Sequence, residues 1–309
     1  MSALEPMATQ PVTTPTTVPA AALEAGRSRR VGPRRAALQH ALRHRSLMIG
    51  AGIVGVVVLL VLLAPLLATH DPNAQDPATT FLSPSAQHFF GTDSFGRDLF
   101  SRTLYGGRYT IGASLLIVAI GAFFGTLFGV VAGYVGGAVG FVIMRLVDLL
   151  LAFPGILLAL GVAAIMGPGL GNGVIAVAIV LVPAYVRVVE GATIQIRRLP
   201  YVEAAVNLGA SPLQIIWRHI LPNVRSSIVV LTTSWLGIAA LWIAALGFLG
   251  LGVQPPTPEW GSILNDGQRY ILIGWWLTIF PGLFLSLFVV GVNLIGDGLR
   301  DELDPALAR

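Results

Sequence analysis

The chain contains no cysteine. Disulfide frameworks, thiolate metal sites and cysteine nucleophiles are therefore excluded, and the compartment cannot be read from thiols. Lysine is absent as well, so all nineteen basic residues are arginine. A phosphate-binding P-loop needs a lysine after its glycines, so the chain is not a standard P-loop ATPase. Schiff-base catalysis through lysine is closed to it too. Charge itself is scarce: 11% of the 309 residues are Asp, Glu, Lys or Arg, against about 25% in soluble domains. Hydrophobic residues make up 55%, and the mean hydropathy is +0.78. This balance describes an all-α, polytopic integral membrane protein, in which lipid takes over the role of a large core.

What is present begins with a polar tail, residues 1–46. Its first part is rich in Pro, Thr and Ala and reads as disordered. Its second part carries Arg27, Arg29, Arg30, Arg34, Arg35, Arg43 and Arg45. A basic block beside an apolar span marks a cytoplasmic flank; contact with anionic lipid fits it as well, and nucleic acid is the weaker alternative. The first span, Leu47–Ala68, is long enough to cross a bilayer and lies too far from the start for a cleaved signal peptide. Five further spans follow at Tyr109–Tyr134, Phe141–Met166, Gly173–Val189, Ser226–Gly252 and Tyr270–Ile295, so that residues 47–305 form the transmembrane domain and 109–295 its core. Six crossings put both termini on one side, and the basic tail makes that side the cytoplasm. Arg145, Arg187, Arg197, Arg198, Arg218, Arg225, Arg300 and Arg309 then also lie inside, whereas Arg97, Arg102, Arg108 and Arg269 lie outside, in keeping with the positive-inside rule.

Within the spans, Gly121, Gly125, Gly129 and Gly133 recur at every fourth position and share one helix face. Small residues at that spacing let backbones approach closely in lipid. Packing within the chain and contact with a second membrane subunit both satisfy the pattern. Pro154, Pro183 and Pro281 are expected to kink spans three, four and six. Arg145 and Asp148, three apart, share a face and can pair. Trp275 and Trp276 read as interface anchors. The outer segment His70–Arg108 is long for a connection. Its Asp93, Arg97, Asp98 and Arg102 fit either local ion pairs in a short surface helix or contact with a solute-binding partner, and the outer loop Gln254–Arg269 has similar standing. His40, His44, His70, His88 and His219 show no metal-ligand spacing within a common helix. No catalytic, cofactor or metal site is expected.

The stretch Tyr201–Pro222, between spans four and five, carries Glu203, Arg218 and His219 and cannot cross lipid cheaply. Pro200 suits a first helical turn, and Glu203 near that N-terminus is favoured by the helix dipole. Gly209 reads as a left-handed C-cap, and Ser211 with Pro212 as the start of a second helix. Leu213, Ile216 and Trp217 form one apolar face, and Leu221-Pro222 closes the unit ahead of span five. A helix–turn–helix block outside the bilayer is the expected result, slim enough at Ala204 and Ala205 to enter a groove on a partner in the adjacent water.

The run of Glu203-Ala204-Ala205, three residues, Gly209, then Leu221-Pro222 resembles the coupling loop of permease subunits in binding-protein-dependent ABC importers; His219 stands where the strict pattern has isoleucine. Gly91-Thr92-Asp93, Phe95-Gly96-Arg97-Asp98, Ser101-Arg102, Tyr105-Gly106, Met144–Asp148 with Phe153-Pro154, and Gly250–Pro256 with Trp260-Gly261 are similar to the C-type permease of the dipeptide, oligopeptide and nickel class. The similarity covers about residues 47–305. It implies half of a translocation pathway for short peptides in the bacterial cytoplasmic (inner) membrane, with nickel or another small solute as the alternative cargo. The implied partners are a homologous second permease, two cytoplasmic ATP-binding subunits or domains that hold the ATP, and an extracytoplasmic solute-binding protein. It also implies that Glu203, Ala204, Ala205, Leu208, Gly209, Ser211, Leu221 and Pro222 couple the bundle to the ATPase. A stand-alone secondary transporter would show inverted repeats and buried charges. Neither stands out in this sequence.

Overall fold

The computed structural model describes residues 45–303; all but the last two residues of the Arg-rich tail lie outside them. Among the described residues the secondary structure is helical, with no strand beyond an isolated bridge between Thr92 and Asp98. Helix α1 is Arg45–Leu62, followed by a short α2, Ala64–Leu67, in which Pro65 occupies the first turn. The remaining helices are α3 (Leu99–Val135), α4 (Gly137–Leu151), α5 (Gly155–Met166), α6 (Leu170–Arg197), α7 (Pro200–Asn207), α8 (Pro212–Ile215), α9 (Leu221–Phe248), α10 (Trp260–Gln268) and α11 (Trp276–Leu303). A π-helical turn, Ile216–Ile220, joins α8 to α9.

Among the described residues five helices are long and apolar enough to cross a membrane: α1, α3, α6, the α8–α9 rod and α11. The remaining expected span, the third, is broken. Helices α4 and α5 meet at 92° across Ala152–Pro154. Pro154 lacks an N–H and forces Phe153 away from helical geometry, so the kink expected inside span three is a full break there. Pro183 and Pro281, by contrast, sit within continuous helices. The second span also starts earlier than expected, at Leu99 and not Tyr109. Its 37 residues extend about 55 Å at 1.5 Å per residue, so some 25 Å stands beyond a hydrocarbon layer of about 30 Å.

Close backbone approach organises the bundle. The four seam glycines of α3 face α6 of the same chain. A β-carbon at Gly129 would come within 2.7 Å of Val189 Cβ, one at Gly133 within 2.8 Å of Thr193 Cβ, and one at Gly125 would fall on Tyr185 Cβ. Side chains of ordinary size would push the two helices apart. A second close approach, not anticipated from the sequence, joins α1 to α11: Gly50 faces the Gly291 carbonyl and Gly291 faces Val54. The largest buried cluster fills the space among α3, α5, α6 and α9 around Ile117, Leu181, Tyr185, Ile243 and Leu246.

The end of the bundle near Asp98 is capped by protein, not by a helix lying flat. Asp93, Arg97, Asp98 and Arg102 are all buried. Asp93 accepts from Arg97 Nε (2.6 Å) and from the Phe95 and Arg97 backbone N–H groups (2.8 and 3.0 Å). Arg102 donates through Nη1 to the Pro72 and Pro256 carbonyls (2.9 and 3.3 Å). These charges therefore stitch the segment 68–98 to α3 and to the 249–259 connection: the expected local ion pairs form, Asp93 with Arg97 (2.6 Å) and with Arg102 (3.6 Å), but in the turn ahead of α3 and the first turn of α3 itself, not in a short surface helix. The expected outer loop Gln254–Arg269 carries an unexpected helix, α10. Trp260 is fully buried and donates its indole N–H to the Thr103 carbonyl (2.8 Å). Gly106 and Gly107 leave room for Glu259 and Trp260, so the motifs around residues 105 and 260 meet in space. Glu259 accepts from the Thr110 hydroxyl (2.7 Å) and the Ser262 N–H (3.0 Å). Burial pushes its carboxyl above the usual range, against the opposing pull of the Gly261 N–H, the Thr110 hydroxyl and the Ser262 N–H. Trp276 is buried as well, its indole N–H donating to the Thr92 carbonyl (3.3 Å); only Trp275 is exposed as an interface anchor would be.

Candidate functional site: the loop between α6 and α9

Helix α6 runs to Arg197, and the chain turns at Arg198-Leu199 into α7. Pro200 takes the first helical position and Glu203 falls in the first turn, exposed. Helix α7 ends in a Schellman motif. Gly209 N–H reaches the Val206 carbonyl (2.9 Å) and Ala210 N–H reaches the Ala205 carbonyl (3.1 Å), with Gly209 at φ +84°. That left-handed conformation is what glycine tolerates and β-carbon-bearing residues resist. Ser211 then caps α8 by accepting from Gln214 N–H (3.3 Å), with Pro212 behind it.

The second half of the unit departs from expectation. Leu221-Pro222 does not close it; Pro212–Phe248 runs as one helical rod. The π turn explains how proline is accommodated. Leu221 N–H bonds back to the Ile216 carbonyl, one residue further than in an α-helix, and the widened turn relieves the clash that a proline ring makes with the carbonyl four residues earlier. Asn223 Nδ2 donates to the His219 carbonyl in the same turn. Ile220, beside the variant His219, supplies the buried aliphatic group.

The unit has two faces. Val202, Ile215, Ile220 and Val224 are buried together with Val130 of α3 and Val189 of α6. On the other face Leu208 is 89% exposed, Trp217 70% and Leu213 68%, with Val206 and Tyr201 about half exposed. Leu213 and Trp217 do share a face, as their spacing predicts, but it is the uncovered one. Glu203, Ala204, Leu208, Gly209, Ser211 and Pro222 are exposed; Ala205 and Leu221 are half-buried against the bundle. A cleft of about 860 Å³ runs alongside α7, between it and the Gly136–Gly140 turn, with Arg197, Arg198 and Glu203 on its walls. Five large apolar side chains lie uncovered on one compact block, a patch of the sort that marks a protein contact where it meets water.

Residues 125–309 match the family described as binding-protein-dependent transport system inner membrane component. The chain belongs to that family. Residues 32–84 match a second family, the N-terminal TM domain of oligopeptide transport permease C. Among curated relatives, the probable D,D-dipeptide transport system permease protein DdpC of Escherichia coli strain K12 is 44% identical over 82% of this chain and 86% of its own length. The dipeptide transport system permease protein DppC of Alkalihalophilus pseudofirmus is 41% identical over 90% and 91%. The glutathione transport system permease protein GsiD of Escherichia coli O6:K15:H31 is 45% identical over 86% and 88%. This membrane component thus shares most of its length with C-type transport permeases, and the loop just described lies within the matched region.

Sequence reasoning missed one feature of the charged residues. Asp148 pairs with Arg187 of α6, not with Arg145; the Arg145 guanidinium lies 5.1 Å over the Phe141 ring instead. Two residues three apart on a helix compete with any third group that packing brings closer, and the α4–α6 contact does so here. Arg187 falls two residues before the end of the expected fourth span, Gly173–Val189, and α6 continues beyond that limit to Arg197.

Proposed function

We propose that this protein is one half of the translocation pathway of an ATP-driven importer of short peptides, with residues 47–305 as its permease domain. The 199–222 unit faces the cytoplasm, as do both termini, and docks into an ATP-binding subunit. Glu203, Ala204, Ala205, Leu208, Gly209, Ser211, Leu221 and Pro222 shape the docking block. A second permease completes the pathway, an extracytoplasmic solute-binding protein delivers cargo at the Asp98 end, and the two ATPase subunits hold the ATP. The carrying observation is the two-faced unit: one side is locked to α3, α6 and α9 and the other presents Leu208, Leu213 and Trp217 uncovered. Peptide as cargo is supported by relatives named for D,D-dipeptide, dipeptide and glutathione transport.

ATP-driven closure of the ATPases then pulls on the block, and the attached helices tilt to switch access between the two membrane faces. The absence of native cysteine makes the test direct. A Leu208→Cys variant, assembled with its partner subunits, should crosslink to the ATP-binding subunit, and the yield should change between nucleotide-free and ATP-bound states. Labelling of that cysteine by an impermeant reagent in intact cells, or transport by the chain alone, would overturn the proposal.

A further inference from the structure

We propose a binding site for a zinc-class divalent cation at the Asp98 end, formed by His70, His88 and Asp98. The three residues come from separate stretches: the connection after α2, the turn at 85–91, and the N-cap of α3. Their ligand atoms all lie within 4.8 Å of one another. His88 Nδ1 is 2.9 Å from Asp98 Oδ1, and His70 Nδ1 is 3.8 Å from the same oxygen. The Asp98 side chain is 1% exposed, that of His88 12%, and that of His70 43%.

The carboxylate is divided between two tasks. Asp98 Oδ2 accepts from the Ser101 N–H (2.8 Å) and the Ser101 hydroxyl (2.7 Å), which caps α3 and fixes the carboxylate plane. Oδ1 is left facing the two imidazoles. Such outer hydrogen bonds are what orients a metal-ligating carboxylate. The Ser101 hydroxyl also receives the His70 backbone N–H (3.2 Å), tying the first histidine to the same cap. Zinc binds imidazole nitrogen and carboxylate oxygen at about 2.0–2.2 Å in a tetrahedron, which separates adjacent ligand atoms by about 3.3 Å. The His88 pair must open by roughly 0.4 Å and the His70 pair close by roughly 0.5 Å to meet that value. His70, the exposed member, makes the larger move by exchanging its Nδ1 contact with the Thr69 hydroxyl (2.9 Å) and its stacking on the His88 ring for the ion. Two imidazoles and one carboxylate with an open fourth position suit zinc better than calcium or magnesium, which take oxygen ligands. A bound ion would staple two stretches of the 68–98 segment, at His70 and His88, to the N-cap of α3.

The experiment uses the full chain in detergent, with affinity tag removed, stripped with chelator and titrated with zinc. Wild type should hold one zinc per chain more than a His70→Ala/His88→Ala double variant. His88→Ala alone should weaken binding about tenfold or more, and wild type alone should gain thermal stability on zinc addition. Because His70 is exposed, His70→Ala must also lower zinc affinity while its melting in chelator matches wild type. Equal zinc in wild type and double variant, zinc affinity unaltered by His70→Ala, or no retained zinc in wild type would each overturn the site and show a hydrogen-bonded His–Asp cap only. None of these outcomes depends on the transport reading.

Discussion

Gly209 is the position where a single substitution most cleanly separates backbone conformation from packing. A β-carbon built there meets no atom within 4 Å, yet the residue has φ +84°. A side chain at this position therefore acts through the backbone and not through a clash. An ordinary L-residue in the left-handed region costs about 1–2 kcal/mol, and β-branched residues are the least tolerant of it. A penalty of that size changes the population of the turn by about five- to thirty-fold. Asparagine accepts left-handed conformations more readily. The expected order of activity is thus Gly209 above Asn, Asn above Ala, and Ala above Val, with Gly209→Val losing most ATP-coupled uptake. Membrane insertion should be equal across the series, because the turn lies outside the spans. The assay is peptide uptake into proteoliposomes holding the complete transporter, run beside ATP hydrolysis, with purified yield as the insertion control. If Val matches wild type, or if Asn is as harmful as Val, the conformational argument fails.

The seam predicts a contrast on one helix: Gly125→Leu should destabilise the α3–α6 pair by about 1–3 kcal/mol through overpacking, whereas Gly112→Ala, with open space around it, should be neutral or slightly stabilising, and thermal melting in detergent reports both. Glu259 supplies a pH signature. Its carboxyl titrates above the unfolded value of about 4.3, so its contribution is full below that pH and is lost as pH rises through the raised value; melting of wild type relative to Glu259→Gln should therefore fall from acid toward neutral pH, and a flat difference counts against a protonated Glu259. Arg102→Lys should cost about 2 kcal/mol, because a single ammonium cannot serve the Pro72 and Pro256 carbonyls and Asp93 together as the guanidinium does; unchanged melting would show that the fork is dispensable.

Much of the bundle was legible because membrane spans advertise themselves by length and apolarity, and because a four-residue glycine period has few uses in lipid. The loop was legible because proline, glycine and serine at 200, 209, 211 and 212 each carry a backbone preference that survives without tertiary context. What was not legible depended on contacts from far along the chain. Trp260 looks like an outer-loop residue until Gly107 and Thr103 are placed beside it. Arg102 looks solvated until Pro256 reaches it from the 249–259 connection, and Asp93 until Ile263 and Asp266 of α10 come beside it. Leu221-Pro222 looks like a terminator, since proline usually ends helical patterns; the π turn is a tertiary solution that local propensity does not encode. The histidines at 70 and 88 have no meaningful spacing, and only the fold of the 68–98 segment brings them to Asp98.

Rigidity decides whether the loop can transmit force. A block that merely hung between α6 and α9 would absorb a pull by bending. Here Val202, Ile215 and Ile220 bury against Val130 and Val189, which sit on the very pair of helices that the glycine seam holds in close backbone contact. The block is also continuous with α9 through the π turn. Displacing α7 therefore has two stiff outlets, one through packing into α3–α6 and one through the covalent rod of α9. The π turn is the softest part of this assembly, since its hydrogen-bond register is the less favourable one. Any difference in tilt between the two outlets should concentrate there, between Ile216 and Leu221. Spin labels at the exposed positions 213 and 229, on either side of that turn, should change separation on ATP binding, whereas labels at the exposed positions 127 and 188, on the seamed pair, should not.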